Sequence, residues 1–235
     1  MFPSVREWLG EVFDELFAID AKLPRSLRKL LWPPGELTLE WRRGRRVKYV
    51  APFRLYLATD LPFFLAWPFT PFGTVLQSSA AGFMEGFADG EGQVGRMAMP
   101  GDHRFEVAVQ VLSDNLPGLV MVLFVPVFAG LLLAVTRGSG RFVGSLITAF
   151  HIHTLGFLAM ILTVPVNLLF GADTGQVLAL VLLLMLLAYV VVAIRRVYGT
   201  TVLGAALRAV AVTSVYQILV IGVIGGSVGI LSMML

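Results

Sequence analysis

The chain contains no cysteine, and only 14% of its residues are charged. The first absence removes disulfides, thiolate zinc sites, iron–sulfur clusters and cysteine nucleophiles. The scarcity of charge sets the chain apart from soluble domains of ordinary composition and from disordered polymers. No segment repeats, no glycine-lined phosphate loop is present, and no Ser-His-Asp spacing occurs; Gly138-Ser139-Gly140 reads as a short turn. Apolar sequence dominates instead, with 57% hydrophobic residues and a mean hydropathy of +0.83.

That apolar sequence falls into five stretches, Val50 to Phe69, Leu116 to Val135, Phe142 to Phe170, Gln176 to Ile194, and a last one within Thr201 to Leu235. About 20 helical residues cross roughly 30 Å of hydrocarbon, so the expectation is an all-α integral membrane bundle of five transmembrane helices. The third and fifth stretches are over-long, which implies tilt or interfacial ends. Residues 1–49 read as a cytoplasmic amphipathic helix plus a basic juxtamembrane segment, and residues 50–235 as the transmembrane domain, with an outer loop at 70–114.

Lysine and arginine close to span ends mark the cytoplasmic side. Nine basic residues lie between Lys22 and Lys48, Arg137 and Arg141 occupy the second short loop, and Arg195 and Arg196 the fourth. The intervening loop from Thr70 to Asp114 carries six acidic residues but only Arg96 and Arg104, and the connection Gly171 to Gly175 carries only Asp173. The alternation predicts a cytoplasmic N-terminus and an outer C-terminus. The sequence pI near 9.5 is accounted for by this juxtamembrane charge, so nucleic acid is not an expected partner; anionic lipid of the cytoplasmic leaflet is.

The amino end is no signal peptide, because Glu7, Glu11, Asp14 and Glu15 interrupt it. Val5, Trp8, Leu9, Val12, Phe13, Leu16 and Phe17 recur at three- and four-residue spacing behind a Ser4/Glu7 capping box. An acidic polar face suits a protein surface better than anionic lipid, so Trp8, Leu9, Phe13 and Phe17 are expected to dock on a protein surface, the chain's own at the cytoplasmic end of the bundle or that of a membrane-protein partner or second copy.

The next segment has the most local character. Pro34-Gly35 is followed by Trp41-Arg42-Arg43-Gly44-Arg45-Arg46 and then Tyr49-Val50-Ala51-Pro52-Phe53-Arg54-Leu55-Tyr56-Leu57. Arg42, Arg43, Arg45, Arg46 and Lys48 beside the membrane each gain roughly 1 kcal/mol from anionic headgroups, which anchors the first span; a recognition patch for a partner is the alternative. Pro52 restricts Ala51 to extended backbone, so the first span begins at Pro52 or Phe53. The block resembles the bacterial membrane family called domain of unknown function three-six-six-seven. Phe150-His151-Ile152-His153 and Arg195-Arg196-Val197-Tyr198-Gly199 are similar to later pieces of that family, so the likeness is expected from about Leu23 to the end of the fifth span, the outer loop excepted. The resemblance implies a bacterial cytoplasmic (inner) membrane location. Many members carry a zinc-ribbon-like, cysteine-rich element before the turn, and this chain has none. A five-span bundle with a cytoplasmic amino end is also similar to the Yip1 type, at the level of fold alone.

Ionisable residues inside spans are functional candidates because their burial is costly. Arg54 and Arg208 lie near cytoplasmic ends and snorkel. Asp60, His151 and His153 lie roughly 12 to 16 Å deep on two spans running the same way, and Asp60 is expected to meet one of the histidines. His151 and His153, two apart, point about 200° from one another, so they do not share a metal. Neither a metal nor another cofactor is predicted. Gly222 with Gly226 and Gly225 with Gly229 form small-xxx-small patterns for close helix packing. In the outer loop, Phe105, Ala108, Val109, Val111 and Leu112 favour a short helix over a strand. The expected function is non-catalytic: an accessory, assembly or scaffold subunit acting through protein and lipid contacts. The alternatives are a proton-coupled transporter or channel using Asp60, His151 and His153, and a membrane enzyme whose cofactor the sequence does not announce.

Overall fold

The structure is a computed structural model and describes residues 22–67, 103–115, 117–136 and 142–234. The expected docking helix with Trp8, Leu9, Phe13 and Phe17 lies outside them, as do Arg137, Arg141 and the outer loop before His103. Among the described residues there is no strand, in line with the all-α expectation. In chain order the helices are α1 (Lys22–Leu31), α2 (Glu36–Arg42), α3 (Pro52–Ala66), α4 (His103–Asn115), α5 (Pro117–Val135), α6 (Phe142–Ile161), α7 (Thr163–Phe170), α8 (Ala172–Tyr198) and α9 (Val202–Met234), with a single 3-10 turn at Arg46–Lys48.

Helix ends follow from local chemistry. Ala51 is extended and Pro52 opens α3, as its fixed φ and missing N–H allow. Gly44, in the left-handed region, follows the end of α2, and Arg45 N–H returns to Glu40 O. The Arg195-Arg196-Val197-Tyr198-Gly199 motif is a helix terminus: Gly199 is left-handed, its N–H donates to Arg195 O, and the two arginines occupy the last turn of α8, where they complement the helix dipole. The break between α6 and α7 falls at Leu162, just before Pro165, and Thr163 Oγ1 donates to Met160 O there. Pro62 and Pro126 lie inside α3 and α5 without ending them.

Long helices α3, α5, α6, α8 and α9 pack into a bundle around Tyr56, Phe63, Val125, Phe128, Leu132, Ile152, Phe157, Ile194 and Val212. Helices α3 and α6 run in the same direction, because Tyr56 meets Phe150 and Phe63 stacks on Phe157 at 4.8 Å. Helix α4 lies on α9 and buries Phe105, Ala108 and Val109, so the outer-loop residues form a helix as expected. On α9, Gly225 and Gly229 are buried within the chain, while a Cβ at Gly226 would meet nothing within 4 Å.

Of the five expected spans, three helical stretches among the described residues are long and apolar enough to cross a membrane: Phe142–Phe170, Asp173–Tyr198 and Val202–Leu231. Helix α3, with 15 residues, reaches only about 22 Å at 1.5 Å per residue, and it carries Arg54 and Asp60. In α5 the apolar stretch is Leu123–Val135. The three long stretches bury only 11–22% of their most apolar windows, and Leu180, Leu184, Met185, Leu203, Leu207 and Ile218 are exposed. An exposed apolar surface of that extent is the kind a membrane-spanning helix presents.

The segment read as a juxtamembrane tether is a helical hairpin packed against α6 and α8. Leu30, Leu37, Tyr49, Val50 and Leu55 form its own core. Ser26 of α1 ties the hairpin to the segment that leads into α3, donating to Lys22 O and accepting from Val50 N–H. The turn rests on α8 through Gly35, where a Cβ would stand 3.1 Å from Ala193 Cα and 3.1 Å from Val197 Cγ2. Tyr189 Oη donates to Leu30 O at 2.6 Å. Gly35 has φ +77° and Gly44 φ +81°, the latter with open space about it, so alanine at either is strained by about 1–2 kcal/mol, but only at Gly35 does it also strike another helix. Gly35→Ala is therefore expected to lower the thermal unfolding midpoint in detergent at least twice as far as Gly44→Ala; equal losses would show that close approach to α8 contributes nothing.

Candidate functional site

Two groups of polar residues are assembled, one at the hairpin end of the bundle and one within it. At the hairpin end, Arg196 Nη2 pairs with Glu36 Oε2 at 2.6 Å and Arg196 Nη1 donates to Pro34 O. Arg42 donates to Val197 O at 2.6 Å and lies over the Tyr198 ring. Tyr198 Oη is 3.2 Å from Ser145 Oγ, which ties α8 to α6. Arg43 and Arg45 converge on Glu40 Oε1 at 3.1 and 3.0 Å, while Tyr49 Oη donates to Glu40 Oε2. Arg46 stands over the Trp41 ring at 5.9 Å; Lys48, like Arg195, is exposed. Basic residues from two distant stretches of chain, 42–48 and 195–196, are thereby brought to one end.

Electrostatics distinguish the two sides of these pairs. The side chain of Glu40 is 6% exposed, whereas those of Arg43 and Arg45 are 50% and 57% exposed. Burial raises the Glu40 carboxyl pKa, but the hydrogen bonds from Arg43 and Tyr49 and the charge of Arg45 outweigh it and hold the group below its ordinary 4.5. Burial, together with the adjacent Glu40 carboxylate, raises the Tyr49 phenol above its ordinary value.

Within the bundle, the expected meeting of Asp60 with a histidine does not occur. His151 Nδ1 is 2.8 Å from Thr38 Oγ1 of the hairpin. His153 Nδ1 is 2.8 Å from Ala149 O, and its Nε2 is 2.9 Å from Tyr216 Oη of α9. Among the described residues, Asp60 Oδ1, His151 Nε2 and Thr154 Oγ1 are buried without a hydrogen-bond partner. The two histidines do diverge as their spacing requires, one toward the hairpin and the other toward α9. Depth alone brings Asp60 and His151 to similar levels; the hairpin takes the contact on the α6 face where Asp60 was expected. Among the described residues no three His, Asp or Glu side chains converge as a metal site. Arg54 and Arg208 are half-buried.

Sequence reasoning missed Thr38, Glu36, Glu40, Tyr189 and Tyr216. A signal existed for three of them. Tyr189 and Tyr216 are tyrosines in otherwise apolar helices, where a hydroxyl needs a partner, and Glu40 precedes Arg43 by one helical turn inside a basic run. A cavity of about 290 Å³ also lies between α6, α8 and α9, with His153, Thr213, Tyr216 and Gln217 as its polar lining; hydropathy carries no trace of it.

The lowered Glu40 value fixes a sign. The carboxylate contributes stability above its unfolded value near 4.5, and that contribution is lost as pH falls through the lower folded value. Between pH 7 and pH 3 the unfolding midpoint of Glu40→Gln is expected to fall less steeply than that of the unmodified protein, starting from a lower level at pH 7; parallel curves would show the cluster to be without net effect.

No curated protein and no solved structure matches the chain. A family model does match, over residues 20–64, a shorter span than the resemblance from Leu23 to the fifth helix implied. It covers the hairpin, the Glu40 cluster and most of α3. Over that segment the chain matches the family described as protein of unknown function (DUF3667).

Proposed function

We propose that this is a multi-pass membrane protein that works without catalysis, as an accessory or scaffold subunit presenting a cationic helical end to anionic lipid and to a membrane-protein partner. The observation that carries this reading is the sorting of charge at the docked hairpin. Glu36 and Glu40 are turned inward against Arg196, Arg43 and Arg45, while Arg42, Arg46, Lys48 and Arg195 are exposed. Among the described residues, the charge exposed at that end is therefore positive. Anionic headgroups contribute about 1 kcal/mol for each such residue near the surface.

In this reading α3 and α5 complete a five-span arrangement in a bacterial cytoplasmic membrane. The hairpin end is cytoplasmic, which the gathering of residues 42–48 and 195–196 at one end supports through the positive-inside rule. Gly222, Gly225, Gly226 and Gly229 line one stretch of α9, and Gly226, with open space before it, is the position available to a second helix. The acidic helix with Trp8, Leu9, Phe13 and Phe17 is the further docking element.

Two measurements test the reading. The native chain has no cysteine, so single cysteines report topology without background. Val47→Cys and Thr200→Cys are expected to react with a membrane-impermeant maleimide only after cells are opened, and Asp173→Cys in intact cells; labelling of Val47→Cys and Asp173→Cys from the same side would sink the orientation. For lipid contact, the protein in vesicles containing phosphatidylglycerol is expected to unfold at higher temperature than in phosphatidylcholine alone. Arg46→Glu with Lys48→Glu should abolish that difference, worth about 2 kcal/mol, and its persistence would place lipid recognition elsewhere.

A further inference from the structure

We infer that the cavity between α6, α8 and α9 binds a neutral lipid alcohol, an apolar body whose hydroxyl donates a hydrogen bond to Tyr216. The cavity is about 290 Å³, and Phe63 of α3, Trp67 just beyond it and Phe128 of α5 also line it. Such a volume is about twice that of an engineered apolar cavity that takes up benzene, and it stands near the lower end of small-molecule sites at roughly 300 Å³. It admits a ring or a branched chain segment. Beyond His153, Thr213, Tyr216 and Gln217 the lining is aliphatic and aromatic, with no charged side chain, which disfavours a charged ligand.

Proton positions follow from the partners of each polar group. Ala149 O, a carbonyl, can only accept, so His153 Nδ1 carries the hydrogen of that bond. Among the described residues no carboxylate bonds to the ring; in the neutral imidazole Nε2 is then the acceptor, and Tyr216 donates its single hydroxyl hydrogen to His153. Thr213 likewise gives its hydrogen to Ala209 O. Tyr216 and Thr213 thus keep only oxygen lone pairs for the cavity, so a ligand that bonds to either of them must bring the hydrogen. Phe128 packs edge-on against both His153 and Tyr216, with ring centroids at 5.1 and 5.0 Å, so the acceptor is held in place before any ligand arrives. A ketone or ester, having no hydrogen to donate, gains nothing from these two oxygens.

The test uses tritiated farnesol, a branched apolar alcohol, and its methyl ether, which has the same body without the donor. Both are measured against the full-length protein in detergent. The alcohol is expected to bind about five- to tenfold more tightly than the ether, the usual effect of one hydrogen bond. Tyr216→Phe should erase that preference, and Val220→Trp, which places an indole in the cavity, should weaken both ligands at least tenfold. Equal binding of alcohol and ether to the native chain overturns the proposal in favour of simple filling by acyl chain. An unchanged preference in Tyr216→Phe overturns it too, as does undiminished binding in Val220→Trp. Should Tyr216→Phe fail to fold, as judged by circular dichroism, the ratio on the native chain together with Val220→Trp decides.

Discussion

At Gly35 the amino-terminal hairpin lies so close to α8 that a single methyl group would meet backbone and side-chain atoms at 3.1 Å. Most polar contacts at that end depend on this approach. Tyr189 reaches Leu30 O, Arg196 reaches Pro34 O and Glu36, Arg42 reaches Val197 O, and Thr38 reaches His151. Each of these bonds joins residues more than a hundred positions apart in sequence, and none forms unless the turn is seated. Glycine at the turn serves both requirements, a left-handed φ and the absence of a side chain.

The hairpin also explains how the bundle tolerates polar residues. Helix α8 has 27 residues, about 40 Å at 1.5 Å per residue, against roughly 30 Å of hydrocarbon. Its last turns carry Arg195 and Arg196 and rest against the hairpin rather than against lipid tails. His151, facing the same way from α6, finds Thr38. His153, two residues on, faces α9 and finds Tyr216, so the two imidazoles serve different contacts. Asp60 and Tyr56 stay between α3 and α6, separate from both.

Charge is sorted by the same packing. Carboxylates that a linear reading scatters through a basic run are folded inward, where arginine and tyrosine donors satisfy them; the arginines keep part of their surface exposed because their long side chains reach the buried acids from outside. The outcome is an end with internal ion pairs and an external positive surface. Opposite in character, α8 and α9 present aliphatic side chains along their length, as surfaces in contact with lipid must.

What the sequence determined by itself was the helical class, the start of α3 at Pro52, the helix at 103–115 and the divergence of His151 from His153. All of these follow from local rules: proline dihedrals and the 100° step between successive residues. The likeness of the Pro34-Gly35 and Trp41-Arg42-Arg43 block to the family whose model it matches was legible for the same reason, since it is one contiguous stretch. Only tertiary structure decided that residues 22–49 dock as a hairpin, that Thr38 rather than Asp60 meets His151, that Tyr216 holds His153, and that a cavity opens between α6, α8 and α9. Those facts depend on which helix faces which, and hydropathy is indifferent to that choice because every face of an apolar helix looks alike to it.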